Sequence, residues 1–288
     1  SALPPAMTDI LLTNDDGIDA IGLRALYEAL ADDHDVTVVA PATNQSGVGG
    51  ERSWWDTTIT YEEHKLGYAV EGTPADCVAV ASVALELDPD LVVAGCNHGP
   101  NIGAHIIVQS GTVGAAMEAA FLDVPALAVS MYDRGNLPIS PTPDGEDFAL
   151  AGEVTADLVA RFEREGLPLD AELLNVNVPS ADDEAAADPT YRVTEPARGF
   201  DVMEFHPGDA EPAEGGFAER RGEAGMELRD RFWREFLSGD VADDLGSDRR
   251  ATVDGEVSVS PLTASHSALE NGRAEQVGRE LDLGRVEG

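Results

Sequence analysis

The stretch Ile10-Leu11-Leu12-Thr13-Asn14-Asp15-Asp16-Gly17 constrains this chain more than any other. Its first four residues make a short apolar run with a β-branched end, the pattern of a strand buried on both faces. Three side chains bearing oxygen follow, and then a glycine. In an open parallel sheet, ligands bind just beyond the carboxyl ends of the strands, which is where Asp15 and Asp16 fall. Adjacent carboxylates repel each other unless a cation lies between them. Oxygen-only donors suit a hard cation such as Mg2+ or Mn2+. The pair is therefore a candidate divalent-metal site. The competing reading is a turn with an Asp cap for the next helix, since Asn-Asp-Asp-Gly is also good turn chemistry.

Beyond Gly17 the chain alternates helix and strand. Leu23, Leu26, Tyr27 and Leu30 fall on one face of a helix, and Val36–Ala40 is a second strand stopped by Pro41. This β-α-β unit belongs to a parallel sheet with right-handed crossovers. The loop from Pro41 to Asp56 is long and glycine-rich, as functional loops often are. Trp54 and Trp55 end it, as a base-stacking pair or as a core anchor and an interface contact. Residues 58–61 and 68–70 are expected to pair as a hairpin. Thr73-Pro74-Ala75-Asp76 starts a helix to about Leu87, with Thr at the N-cap and Pro in the first turn. Strands are expected at 91–96, 125–130 and 173–178. Helices are expected over 146–164 and after Ser110-Gly111-Thr112, the latter burying Val113, Ala116, Met117, Ala120 and Phe121. The fold class is α/β, a three-layer Rossmann-like, mostly parallel sheet. Residues 7–180 are expected to form the domain that carries this site. Residues 181–288 are more acidic and weakly periodic, with strands at 191–193 and 257–259 and a last helix over 266–282. They read as an extension packed on the first domain or on a neighbouring subunit.

Composition narrows the setting. Among 288 residues the net charge is −37, Lys65 is the lone lysine, and 43% of residues are hydrophobic. That much apolar content, with clean periodicity, argues against disorder. It describes a folded protein with an acidic, lysine-poor surface, like those of organisms with salty cytoplasm. Such a surface disfavours a nucleic-acid duplex or an anionic membrane as partner. Cys77 and Cys96 sit in apolar surroundings and make no disulfide framework or metal spacing, which fits a reducing cytoplasm. No apolar run approaches the length needed to span a bilayer, and residues 1–6 lack the basic start of a signal peptide.

Polar residues end several of the expected strands. Asp15 and Asp16 follow the first, Asn44 and Ser46 the second, and Asn97 the strand at 91–96. All lie on one rim of the sheet. Two carboxylates, a hydroxyl and an amide carbonyl, completed by waters, make an octahedral set for Mg2+ or Mn2+. Zinc would prefer His and Cys, which are not clustered. The small-residue start at Ser110-Gly111-Thr112 offers free backbone N–H groups to an anion, or is an ordinary N-cap.

These residues lie in stretches that together resemble a known family. ILLTNDDGIDAIGLRAL, VTVVAPATNQSG, EGTPADCV, LVVAGCNHGPNIG, SGTVGAAMEA with PALAVS, and LNVNVP are similar, in order and spacing, to the survival protein SurE family of metal-dependent nucleotidases. Arg220-Arg221 and residues 255–262 resemble its C-terminal region less sharply. The resemblance implies one divalent metal per subunit on Asp15, Asp16, Ser46 and Asn97. It implies hydrolysis of nucleoside monophosphates, 5′ and also 3′, to nucleoside and phosphate. It implies a homodimer or homotetramer with exchanged C-terminal segments. One departure stands out. Members carry an acidic residue shortly after the second glycine of Asn-x-Gly-x-Asn-x-Gly. Here Gly103 is followed by Ala104-His105-Ile106-Ile107, so that residue's role passes to His105 or is absent.

In the expected mechanism the metal activates a water and neutralises phosphoryl charge. Asp15 or Asp16 orients or deprotonates that water. Asn44, Asn101, Ser110, Gly111 and Thr112 contact the phosphate. His98 is a candidate proton donor to the leaving group. A receiver-like signalling module also pairs acids after its first strand, but Asn97 stands where it needs a phosphoacceptor Asp, and Lys65 lies in a polar loop. A scaffold without turnover is the other alternative. The charge predicts a melting temperature that rises from low to multimolar KCl, where the screening length falls to about 3 Å at 1 M. Equal melting temperatures across that range would contradict a salt-adapted surface.

Overall fold

The computed structural model describes residues 7–54, 57–135, 143–168, 171–198 and 245–264. Trp55, residues 207–225 with Arg220-Arg221, and the helix expected at 266–282 lie outside them. The described strands are β1 (Asp9–Thr13), β2 (Asp35–Pro41), β3 (Tyr61–His64), β4 (Gly67–Val70), β5 (Leu91–His98), β6 (Ala126–Tyr132), β7 (Leu173–Pro179), β8 (Tyr191–Val193) and β9 (Val257–Leu262). They join one sheet in the order β3-β4-β2-β1-β5-β6-β7-β9-β8. The run from β4 to β7 is parallel throughout, while β3 on β4 and β9 on β7 are antiparallel.

Alternation along the strands makes two cores. Ile10 and Leu12 of β1 face one way, toward α1 (Ile21–Leu30) and α5 (Ala149–Glu165), with Leu23, Leu26, Val154 and Leu158. Leu11 faces the other, toward α2 (Pro74–Ala79) and α4 (Gly111–Phe121), with Val78, Val113 and Ala116. Sheet and two helical layers give the expected three-layer α/β fold. Between α2 and α4 in sequence order lies the short α3 (Ala104–Ile107). A last described helix, α6 (Asp248–Val253), precedes β9.

The chain steps outward from β1 to β2 and later returns to place β5 on the other side of β1. That reversal opens a crevice at the carboxyl ends of β1 and β5, the position where open α/β sheets bind ligands. Thr73 caps α2 as expected: its hydroxyl accepts from the Asp76 N–H while the Asp76 carboxylate accepts from the Thr73 N–H, a reciprocal capping box.

Some elements differ from expectation. The hairpin pairs 61–64 with 67–70 rather than 58–61 with 68–70. Its first strand is the polar edge Tyr-Glu-Glu-His, where no core face imposes an apolar pattern. Strand β5 runs on to His98, so Asn97 lies inside its last turn of pleat, beyond a register shift against β6 between Ala94 and Asn97. Such a bulge re-aims the side chains beyond it. Phe121 points out, at 60% exposed, because α4 is small-residue on nearly every side and is buried by its first turns instead. Among the described residues no helix is long and apolar enough to cross a membrane.

Helix α1 crosses very near the end of β5. A Cβ at Gly22 would lie 2.2 Å from the Cys96 carbonyl oxygen and 3.0 Å from the Phe148 ring. Helix propensity alone favours alanine there by about 1 kcal/mol, and the clash opposes it. Gly22→Ala is expected to destabilise the fold by about 1–3 kcal/mol, read as a lower urea midpoint in concentrated KCl. A midpoint equal to or above the parent's would refute this packing.

Candidate metal centre

Asp15 and Asp16 follow β1 in a turn locked by Asn14. The Asn14 amide donates to the Gly17 carbonyl at 2.9 Å, and the Gly17 N–H donates back to Asn14 Oδ1 at 3.2 Å. Asn14 thus shapes the turn, and the two aspartates are left for chemistry. Asp15 is 3% exposed. Its Oδ1 accepts the Thr112 hydroxyl at 2.6 Å. Asp16 is half-buried and reaches the neighbouring strand ends. Its Oδ1 accepts from the Asn44 amide at 3.2 Å and the Ser46 hydroxyl at 3.4 Å, and its Oδ2 from the His98 N–H at 3.2 Å.

The glycine-rich loop after β2 is tied to the same place by its backbone. The Gln45 N–H donates to the Asp15 carbonyl at 2.7 Å, and the Gly49 N–H to the Gln109 carbonyl at 3.0 Å, just ahead of α4. Further on, the Ser53 N–H and hydroxyl both donate to the buried Asp76 carboxylate, which fastens the loop's end to the start of α2. Asn97 donates its amide to the Gly99 carbonyl at 2.6 Å, which leaves its carbonyl oxygen for another partner.

Electrostatics give these contacts their meaning. Burial is the largest influence on both aspartates, and it raises both: Asp15 to about 6, with the Asp16 charge adding to the rise, and Asp16 upward in the same sense. The hydrogen-bond partners they have among the described residues are hydroxyls, an amide and backbone N–H groups, all neutral. Two adjacent, desolvated carboxylates without a cationic side chain form a donor set that fits a hard divalent cation. Among the described residues no three His, Cys, Asp or Glu side chains converge; the Ser46 hydroxyl lies beside Asp16, and Asn97 precedes His98, whose N–H reaches Asp16.

The other expected site residues divide. Ser110 caps α4, its hydroxyl accepting the Val113 N–H at 3.1 Å. Thr112 gives its hydroxyl to Asp15, and Gly111 packs against that carboxylate. Asn101 is buried: its N–H donates to Asn177 Oδ1 at 2.8 Å, its amide to the Ser130 hydroxyl at 2.9 Å, and its carbonyl accepts from Asn175 and Asn177. The His98 ring lies edge-on to Phe148, with Asp147 and Asp133 nearby; its pKa is lowered chiefly by burial. His105 is exposed on α3 beside Gln109. Trp54 is 71% exposed.

Several supporting residues escape a reading of the sequence. Asn175 and Asn177, two apart on β7, present amides to one side of a buried strand and grip the Asn101 backbone. The signal was there in Leu-Asn-Val-Asn-Val-Pro, since polar residues rarely enter such a strand unpaired. Asp248 is fully buried and accepts from the N–H groups of Gly103 at 2.7 Å and Ala197 at 2.9 Å. It pins the loop after β5 to the C-terminal region, and nothing local marks it.

The chain is similar to several known proteins. Residues 10–200 match the family model described as Survival protein SurE. A protein of Natronomonas pharaonis named 5′-nucleotidase SurE is 47% identical over 260 residues, covering 90% of this chain and 93% of that protein. One of Haloquadratum walsbyi, with the same name, is 44% identical over 264 residues, covering 90% and 91%. The crystal structure of the SurE protein from Aquifex aeolicus superposes with a TM-score of 0.75 at 31% identity, covering 95% of this chain and 99% of that one.

The raised Asp15 value has a consequence for metal-free protein. Folding favours its protonated form, so this stabilising contribution is complete below the ordinary 3.8 and disappears as pH rises through about 6. Asp15→Asn keeps an acceptor for Thr112 and carries no charge. In chelator-treated protein it is expected to melt above the parent at pH 8 and level with it at pH 4. Equal melting at both values would contradict an uncompensated carboxylate.

Proposed function

The chain belongs to the survival protein SurE family, and from that premise we propose that it hydrolyses nucleoside 5′-monophosphates to nucleoside and phosphate at Asp15 and Asp16. The observation that carries the assignment to this site is the buried aspartate pair with neutral partners at the crevice between β1 and β5. Nucleoside 3′-monophosphates are a secondary substrate class.

The cofactor is one divalent cation per chain, Mg2+ or Mn2+, held by Asp15, Asp16, Ser46 and the Asn97 carbonyl oxygen. When bound, it neutralises phosphoryl charge and makes water a better nucleophile. Asp15 and Asp16 orient the attacking water, and one of them takes its proton. The water oxygen forms a bond to phosphorus as the ester bond to the nucleoside oxygen breaks, and the leaving oxygen takes a proton from solvent water. Asn44, at the exposed end of the glycine-rich loop, and Ser110-Gly111 at the start of α4 lie on the phosphate side. Asn101 holds the loop between β5 and α3 in shape. These local dipoles and the cation overcome the repulsion that a chain of net charge −37 exerts on an anionic substrate.

The protein works as a homodimer or homotetramer in the cytoplasm, with residues 7–180 as the catalytic unit and 181–288 as the assembling one. The similarity to relatives from halophilic archaea supports a salty cytoplasm.

The deciding assay is phosphate release from 5′- and 3′-mononucleotides in concentrated KCl, with and without Mn2+. The parent is expected to release phosphate only with the metal. Asp15→Asn should lose about a hundredfold or more while keeping its circular dichroism spectrum. Metal-independent release, or an Asp15→Asn variant as fast as the parent, would refute the assignment.

A further inference from the structure

We propose that the Thr112 hydroxyl is a positioning group for Asp15 and not a donor to the substrate's phosphate. The inference rests on the reading of Asp15 as a metal ligand and concerns what holds it in place.

Thr112 is fully buried, and its hydroxyl meets Asp15 Oδ1 at 2.6 Å across 97 residues of sequence. A hydroxyl has one proton to donate. Ionised Asp15 can only accept, so that proton is committed to the carboxylate and a phosphate could take it only by releasing Asp15. Two further N–H groups of the first turn are engaged within the helix. The Val113 N–H goes to the Ser110 hydroxyl at 3.1 Å, and the Gly114 N–H to the Ser110 carbonyl at 2.9 Å. The Thr112 N–H adds a weaker contact to Asp15.

Gly111, next to Thr112 in the same turn, packs closely on Asp15. A Cβ there would come within 2.7 Å of Asp15 Cβ and 3.0 Å of Oδ2. Asp15 therefore fits against this turn only because residue 111 has no side chain. The start of α4 works as a clamp: Gly111 admits the carboxylate, and Thr112 fixes its rotation through Oδ1.

The test uses full-length protein in concentrated KCl and compares Thr112→Val, which removes the hydroxyl, with Thr112→Ser, which keeps it. Mn2+ affinity is read by calorimetry on nucleotide-free protein, alongside kcat and KM for a nucleoside 5′-monophosphate at saturating Mn2+. Groups that orient a metal ligand typically carry about 10–100-fold in affinity or activity. Thr112→Val is expected to weaken Mn2+ by about that factor and to lower kcat with KM nearly unchanged, and Thr112→Ser to restore both. If Thr112→Val does not fold, Thr112→Ala supplies the same comparison. Parental Mn2+ affinity in the hydroxyl-free variant, or a raised KM with parental kcat, overturns the inference and leaves the metal site standing. A parent that binds no Mn2+ overturns the metal-site reading and this inference with it.

Discussion

Asp15 and Asp16 sit side by side, largely out of water, with no positive side chain among their hydrogen-bond partners in the described residues. Such a pair is unstable as two anions and useful once a cation joins it. Much of the architecture serves to hold that unfavourable pair in place. The strand order reverses between β1 and β5, which opens a crevice at their carboxyl ends, and the His98 N–H at the end of β5 reaches Asp16. The glycine-rich loop hangs from the Asp15 carbonyl through Gln45 and brings Asn44 and Ser46 to Asp16. Helix α4 brings its N-terminal end to Asp15 itself.

Around that centre the anchoring is mostly done by neutral amides and buried carboxylates. Asp76 gathers the far end of the glycine-rich loop onto α2. Asn175 and Asn177 grip Asn101, and Asp248 grips Gly103. These side chains satisfy backbone groups of irregular loops, which would otherwise lose hydrogen bonds on burial. Rigid loops matter for a site whose ligands come from distant strands, because small misplacements of a reacting group cost rate steeply. The acidic exterior is a separate adaptation. It repels an anionic substrate, so local dipoles and a cation must dominate within the crevice.

Much of this was legible in the sequence. Apolar runs ending in Asn-Asp-Asp-Gly, Pro41 and Asn97 gave the parallel strands, because buried strands leave an unmistakable composition. The Thr73–Asp76 cap was legible because its chemistry is local. The hairpin at 61–70 was misplaced because an exposed edge strand carries no hydrophobic alternation. The exposure of Phe121 was missed because a helix of alanine and glycine gives period analysis no contrast between its faces. The roles of Thr112, Asn177 and Asp248 were hidden for another reason. Each depends on a partner tens of residues away, and only the folded chain sets them together.

The most direct measurement is an anomalous difference map from crystals grown with Mn2+. The account predicts one strong peak per chain, about 2.0–2.3 Å from carboxylate oxygens of Asp15 and Asp16, with the Ser46 hydroxyl and the Asn97 carbonyl oxygen completing the protein's share of the shell. A peak elsewhere, or an empty crevice between β1 and β5 at saturating Mn2+, would contradict it.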